Sequence, residues 1–374
     1  MSDNLMRLDT PGHDVVVQVA DRAESPLGVV IASLGEYPVY DEAAYALMGR
    51  DEVRNAAYRA AIAATVEGRT VVDIGTGREA LWAVTSARAG ARHVYAIEEM
   101  PDNAALARRA VAEAGFADRI TVLEGSTGTV ELPERVEVCI SEIIGTIGGS
   151  EGAAAVLNGA AERYMLPGAA YIPLRCATTI GAVDLSGIAP EGITAYERDH
   201  VRYLEMIFAA MGGPFDVRTC VSGLRCTPYL TDQAEVEHLE LTGAATASGS
   251  DARTLTVRRD GRLHGLSLGV RLWVDAGQDP IDSTDASTSW FPVWVPVSAE
   301  GVPVRAGDRV RVEFGWRPAA DGIHPDYRLS GRIERADGVP AAFTWDSPYR
   351  GSGFRGDDFH RTLFPAPAPA DPAP

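Results

Sequence analysis

Lysine is missing from this chain: all 34 of its basic residues are arginine, set against 52 acids for a net charge of −18. That excess of negative charge repels phosphate and argues against a nucleic-acid partner, while it draws cations inward. With alanine, glycine and proline so abundant, the arginine-only usage reads as the base composition of a GC-rich bacterial genome. Cysteine is scarce. The four (Cys139, Cys176, Cys220, Cys226) show no C-x-x-C spacing, and the seven histidines form no HExxH or H-x3-H pattern. No zinc or other metal site is expected, and buried free thiols in a reducing cytoplasm are. No apolar run approaches the ~20 residues of a membrane helix. The start "MSDNLMRLDTPGHD" lacks the basic and apolar regions of a signal peptide. No membrane is therefore expected, and the cytoplasm is the predicted location.

What is present suits two folded domains: 374 residues, 46% hydrophobic and 23% charged. After a mixed first stretch (1–44), "DEAAYALMGRDEVRNAAYRAAIAATVEG" has helical spacing and stops at Gly68. Short β-rich runs then alternate with Ala-rich helices. "TVVDIG", "HVYAIE", "ITVLEG" and "VEVCISE" read as strands; "ALWAVTSARAG", "MPDNAALARRAVAEAG" and "AAAVLNGAAERYM" read as helices. Such alternation predicts a parallel, doubly wound sheet over 45–173. From 174 to 364 the texture changes to many short strands separated by Gly, Pro and Asp, which predicts a β-sandwich or barrel. One helix interrupts it at Ala195–Met211, with Val201, Leu204, Phe208 and Met211 on one face. The Pro-rich end, 365–374, is expected to be disordered.

The strand "TVVDIG" runs through a Gly-rich turn into a helix, so Asp73, Gly75 and Gly77 are candidates for a nucleotide-type ligand or for a tight packing turn. The third glycine of a dinucleotide fingerprint is replaced by Glu79, whose charge would repel a pyrophosphate at the helix N-terminus. A phosphate-free cofactor with a positive centre fits better, and S-adenosylmethionine, a sulfonium, is one. Glu98, at the end of the next strand, can accept both ribose hydroxyls.

The set "LMGRDEVRNAAYR", "VVDIGTG", "HVYAIE", "VELP" and "ISEIIG…SEG" resembles the protein arginine methyltransferases in order and spacing, over roughly Tyr45 to Pro173. The likeness is fainter but collinear beyond. The resemblance implies an α/β fold: a Rossmann-like class I S-adenosylmethionine-dependent methyltransferase domain, then a β-barrel domain with an inserted helical dimerisation arm, here about 190–225. It implies a homodimer. It also implies that Arg54 binds the cofactor's carboxylate, which a guanidinium fork suits. Met48 should line the transfer site, and Asp73, Gly75 and Gly77 should underlie the cofactor.

The resemblance further identifies Glu142 and Glu151 as the two acids of a hairpin after the fourth strand. The chemistry asks for them. The acceptor guanidinium has a pKa above ~12 and must meet a sulfonium; two carboxylates offset that repulsion and leave one nitrogen nucleophilic. Several positions depart from the family. The Thr-His-Trp loop is Thr288-Ser289-Trp290, so Ser289 and Trp290 face the substrate pocket without a histidine to pair with Asp51. Gly128 stands where an acid near the adenine is expected. The hairpin has Thr146, Gly148 and Gly149 in place of aromatics, changes expected to open the pocket. The expected acceptor is thus a guanidino small molecule, free arginine or a natural product, in a bacterial biosynthetic pathway. An indole C3-methyltransferase acting on tryptophan-derived compounds, and a catalytically dead dimerising module, remain open at this point.

Overall fold

The computed structural model describes residues 4–367 except 22–24, 38, 41, 337, 339 and 352. The Pro-rich tail expected to be disordered lies, from residue 368, outside the described residues.

The chain opens with three short strands, β1 (Leu5–Leu8), β2 (Val15–Ala20) and β3 (Val30–Ala32). Two helices follow, α1 (Glu42–Gly49) and α2 (Glu52–Thr65), where the periodicity predicted one. The break has a local cause: Asp51 Oδ1 accepts the Arg54 N–H at 2.9 Å and so caps a new helix. The doubly wound unit comes next, with β4 (Thr70–Ile74), α3 (Leu81–Arg88), β5 (His93–Glu98), α4 (Pro101–Glu113), β6 (Ile120–Glu124), β7 (Val136–Ser141), α5 (Ala153–Tyr164) and β8 (Met165–Ile172). Its sheet order is β6-β5-β4-β7-β8, parallel throughout. β4 is buried along its whole length because helices cover both faces. The order reverses between β4 and β7. Ligands of such sheets bind outside the strand ends at that crevice.

The second half is mostly antiparallel. Its strands are β9 (Arg175–Val183), β10 (Tyr196–Glu197), β11 (Thr219–Val221), β12 (Ala234–Glu240), β13 (Gly249–Thr256), β14 (Gly261–Leu263), β15 (Gly265–Trp273), β16 (Ile281–Asp282), β17 (Val293–Pro296), β18 (Val302–Val304), β19 (Arg309–Pro318), β20 (Pro325–Glu334) and β21 (Ala341–Ser347). The sheet β12-β9-β15-β17-β11-β3 faces β13-β19-β20-β21 across a core containing Ile180, Leu268, Val295, Phe314 and Leu329. β3, from the first stretch of chain, completes one edge of that barrel by pairing with β11.

The arm departs from expectation in two ways. Its helix, α6, spans Val201–Met211 rather than Ala195–Met211. Tyr196 and Glu197 form β10, paired in parallel with Val19 and Ala20 of β2, so strand pairing has overridden helical spacing. The apolar stripe is also covered. Val201, Leu204 and Phe208 are at most 1% exposed, packed with Leu8, Val15, Val17 and Val19 of the N-terminal hairpin, with Leu363 of the final helix, α7 (Asp358–Leu363), and with Phe364 just after it. The apolar face of the arm that the resemblance marks for dimerisation is thus covered by its own chain. A clasp holds α7 there, with His360 Nδ1 2.9 Å from Asp357 Oδ2 and His360 Nε2 3.0 Å from the Val217 carbonyl.

Candidate active site

The cofactor cradle begins where β4 ends. Gly75 and Gly77 both take left-handed backbone (φ +71° and +67°), which a side chain would strain. Asp73 is buried, and its Oδ2 accepts the Thr76 hydroxyl at 2.5 Å; burial pushes its carboxyl up to about 7. The Ala83 backbone N–H also pulls on this carboxyl against that rise. Glu98 closes β5 and ties the two strand ends together, accepting the Gly77 N–H at 2.9 Å through Oε2 and the Met100 N–H at 3.0 Å through Oε1. Each oxygen keeps a lone pair for a diol.

A roof over the cradle was not legible in the spacing. Tyr45 of α1 accepts from Asn103 Nδ2 at 2.9 Å, and the Arg78 guanidinium lies 4.1 Å from its ring centre. A Cβ on Gly77 would meet nothing nearer than this tyrosine ring, at 3.9 Å. The space between the glycine turn and α1 and the bidentate Glu98 together fit an adenosyl group lacking phosphate. Bound there, S-adenosylmethionine supplies an electrophilic methyl on a sulfonium.

The hairpin acids lie beyond the end of β7. Arg54, expected to meet the cofactor's carboxylate, places Nη1 2.7 Å from Glu142 Oε2. Its Nη2 donates to the Met48 carbonyl at 2.8 Å and to Asn55 Oδ1 at 3.1 Å. Met48 therefore reaches the site through its backbone. Burial pushes Glu142 up to about 7 against the pull of Arg54. Glu151 is driven well above the usual carboxylate range, by burial first and then by Glu142 and Glu36 nearby. The structure thus brings both hairpin acids and Arg54 into one electrostatic group, with one guanidinium facing two carboxylates.

The hairpin between those acids is anchored at its first end by Tyr58, whose hydroxyl donates to the Ser141 carbonyl at 3.1 Å. Trp290 donates its indole N–H to the Ile144 carbonyl at 2.6 Å and is 5% exposed. Trp290 thus supports the hairpin from behind, where the sequence placed it in the substrate pocket. Ser289 is equally committed: its backbone N–H and its hydroxyl both donate to Asp51 Oδ2, at 2.6 and 3.0 Å. The acid that would orient a histidine is here consumed by a serine.

The hairpin glycines do not open the pocket as expected. A Cβ on Gly148 would lie 3.0 Å from Cys176 Sγ, and one on Gly149 would lie 2.7 Å from Glu237 Oε1. Their missing side chains let the barrel press against the hairpin. From the other side Gly35 lies so close to Glu151 that a Cβ there would fall on its carboxylate. Beside it Glu36 and Arg218 form a buried ion pair at 3.0 Å. Cys139, Cys176 and Cys220 are free and buried, as the composition implied; the side chain of Cys226 lies outside the described residues.

A Rossmann-like sheet with this cradle, followed by a barrel that closes on its strand ends, defines an S-adenosylmethionine-dependent methyltransferase. The family described as "PRMT5 arginine-N-methyltransferase" matches residues 34–170. An "Arginine N(omega)-methyltransferase" from Streptomyces achromogenes subsp. streptozoticus is 31% identical over 284 residues, covering 72% of this chain and 74% of its own. The "Probable histone-arginine methyltransferase 1.3" of Arabidopsis thaliana is 36% identical over 148 residues, 38% of this chain and 26% of that one. The fold is shared with the solved arginine methyltransferase 10 of Arabidopsis thaliana, at TM-score 0.65 and 20% identity over 81% of this chain and 96% of that one. It is shared equally with the Trypanosoma brucei PRMT1 enzyme-prozyme complex, at TM-score 0.64, 20% identity and the same coverage. The chain belongs to the arginine N-methyltransferase family, and its methyl donor is S-adenosylmethionine.

Proposed function

We propose that the acceptor is a small guanidino compound, free L-arginine or a guanidino natural product, in a bacterial biosynthetic pathway. The observation that carries this reading is the approach of Gly35 to Glu151. The N-terminal segment packs on the second acid there, pinned by the buried Glu36–Arg218 pair, and leaves less room beside Glu151 for a polypeptide backbone than for a small acceptor. The charge inventory agrees. Glu142 and Glu151 face one cation, Arg54, so a guanidinium supplies the charge that balances the second carboxylate. Free deprotonation of a guanidinium at pH 7 costs ~8 kcal/mol, from a gap of ~6 pKa units at ~1.4 kcal/mol each. The proton therefore leaves with or after methyl attack, and a hairpin carboxylate takes it. The binding roles of Arg54, Asp73, Gly75, Gly77, Glu98 and Met48 belong to the same reading, as does a homodimer in the cytoplasm assembled through a face other than the covered α6 stripe.

The test is a methyl-transfer assay with L-arginine, an Arg-rich peptide and a cyclic Trp dipeptide side by side. Transfer to L-arginine well above transfer to the peptide is expected. Transfer confined to the peptide, or to the indole, overturns the assignment.

A further inference from the structure

Behind the hairpin stand three barrel side chains that the chemistry has not yet used: Thr178 on β9, Glu237 on β12 and Tyr327 on β20, none more than 2% exposed. Thr178 Oγ1 donates to Glu237 Oε2 at 2.6 Å and accepts the Gly148 N–H at 2.9 Å. A hydroxyl has one proton; giving it to Glu237 turns its lone pairs to Gly148. Glu237 Oε2 also accepts the Gly149 N–H at 3.5 Å, and Oε1 accepts the Tyr327 hydroxyl at 2.5 Å. Two consecutive hairpin N–H groups are thus held by one buried carboxylate and its hydroxyl relay.

The backbone shows how Glu237 comes to face the hairpin. Its φ is +51°, a left-handed conformation that a glutamate keeps only where its surroundings hold it. The register of β12 on β9 shifts between Val236 and Leu239, and such a bulge re-aims a side chain. From the clamp to Glu151 the chain has little freedom, because Ser150 N donates to the Ile147 carbonyl at 2.8 Å and Gly152 N to that of Gly149 at 2.9 Å. The Tyr327 ring carries the Arg218 guanidinium 4.8 Å from its centre, and Arg218 holds Glu36 beside Gly35. Both sides of Glu151 are therefore tied to one buried network.

We propose that Glu237, acting through Thr178, is a positioning residue for the reaction: it clamps the hairpin against the barrel and sets where Glu151 stands relative to Glu142. This rests on the reading of those two acids as the acceptor clamp. Misplacing a reacting group by about an ångström costs on the order of a hundredfold in rate without touching the group itself.

The full chain carrying Thr178→Val, Thr178→Ser, Glu237→Gln or Glu151→Gln tests this, with L-arginine and an Arg-rich peptide as acceptors. Thr178→Val and Glu237→Gln should each lower kcat by about tenfold to a hundredfold, with S-adenosylmethionine affinity by calorimetry and Tm near wild type. Thr178→Ser, which restores the relay, should recover most of the loss. Full kcat in both Thr178→Val and Glu237→Gln, beside a crippled Glu151→Gln, overturns the clamp and leaves the acceptor reading standing. Equal losses in Thr178→Ser and Thr178→Val, or a parallel fall in Tm and cofactor affinity, overturn it too, because they mark general packing. An unimpaired Glu151→Gln overturns both readings together.

Discussion

Arg54 Nη1 and Glu142 Oε2 meet at 2.7 Å, with only 4% and 14% of their side chains exposed. The pair joins the start of α2 to the end of β7, so a residue expected to serve the cofactor also balances the charge of the first hairpin acid. Glu142 holds Arg54 in a direct ion pair, whereas Glu151 feels the same guanidinium only at longer range; under the proposed function that asymmetry suits the pair to a second guanidinium.

Replacing either acid by its neutral isostere, Glu142→Gln or Glu151→Gln, should lower kcat at least ~10²-fold, the scale of one preorganised electrostatic group. Cofactor affinity should barely change. Single-turnover kinetics with calorimetry checks both. An indole acceptor would leave one of the two substitutions nearly silent.

Glu98→Ala should weaken S-adenosylmethionine by ~1.5–3 kcal/mol, the worth of hydrogen bonds to a charged group. It also frees the Gly77 and Met100 N–H groups that Glu98 holds, so a modest fall in Tm accompanies it. Unchanged affinity by calorimetry would remove Glu98 from the cradle.

The pH dependence follows from Glu142, raised from 4.5 to about 7 chiefly by burial. A guanidinium binds the ionised form, so kcat/KM for the acceptor should climb through about pH 7 and go on rising above it as Glu151, also raised by burial and by Glu142, gives up its proton. Stability runs the other way. A folded-state pKa above the unfolded one means that the native state holds its proton longer. The contribution is complete below about pH 4.5 and is lost as pH rises toward 7, by up to ~1.4 kcal/mol per pH unit. Glu142→Gln should remove this component of the slope; Tm and kcat/KM measured from pH 5 to 8 on both proteins checks it.

Deleting residues 1–28 strips β1 and β2 from α6 and bares Val201, Leu204 and Phe208. Each is worth ~1.5–3 kcal/mol of burial, so the shortened chain should self-associate beyond the state of the full chain. Light scattering at micromolar concentration reads this directly. Identical sizes would mean that the hairpin is not what keeps the stripe from a partner.

Much of the site was legible in the sequence because its parts are local. Asp73, Gly75 and Gly77 occupy one strand-to-helix turn, and Glu98 ends the adjacent strand. A parallel sheet places successive strand ends at one edge whatever the rest of the chain does. Period and punctuation sufficed for the elements there. They failed at Arg50–Asp51, where one capping carboxylate divides a helix, and at Tyr196–Glu197, where a strand from the other end of the chain captured two residues of helical spacing.

Local pattern thus determined the fold class and the strand-to-helix turn at Asp73–Gly77, and resemblance to a family singled out the two hairpin acids. Tertiary structure alone decided the rest: Arg54 beside Glu142, Asp51 occupied by Ser289, the arm covered by its own N-terminus, and the hairpin glycines pressed on Cys176 and Glu237. Each of those joins residues at least 28 positions apart. Such contacts depend on which surfaces the packed core brings within a few ångströms, and hydrophobic period along the chain carries no record of that distance.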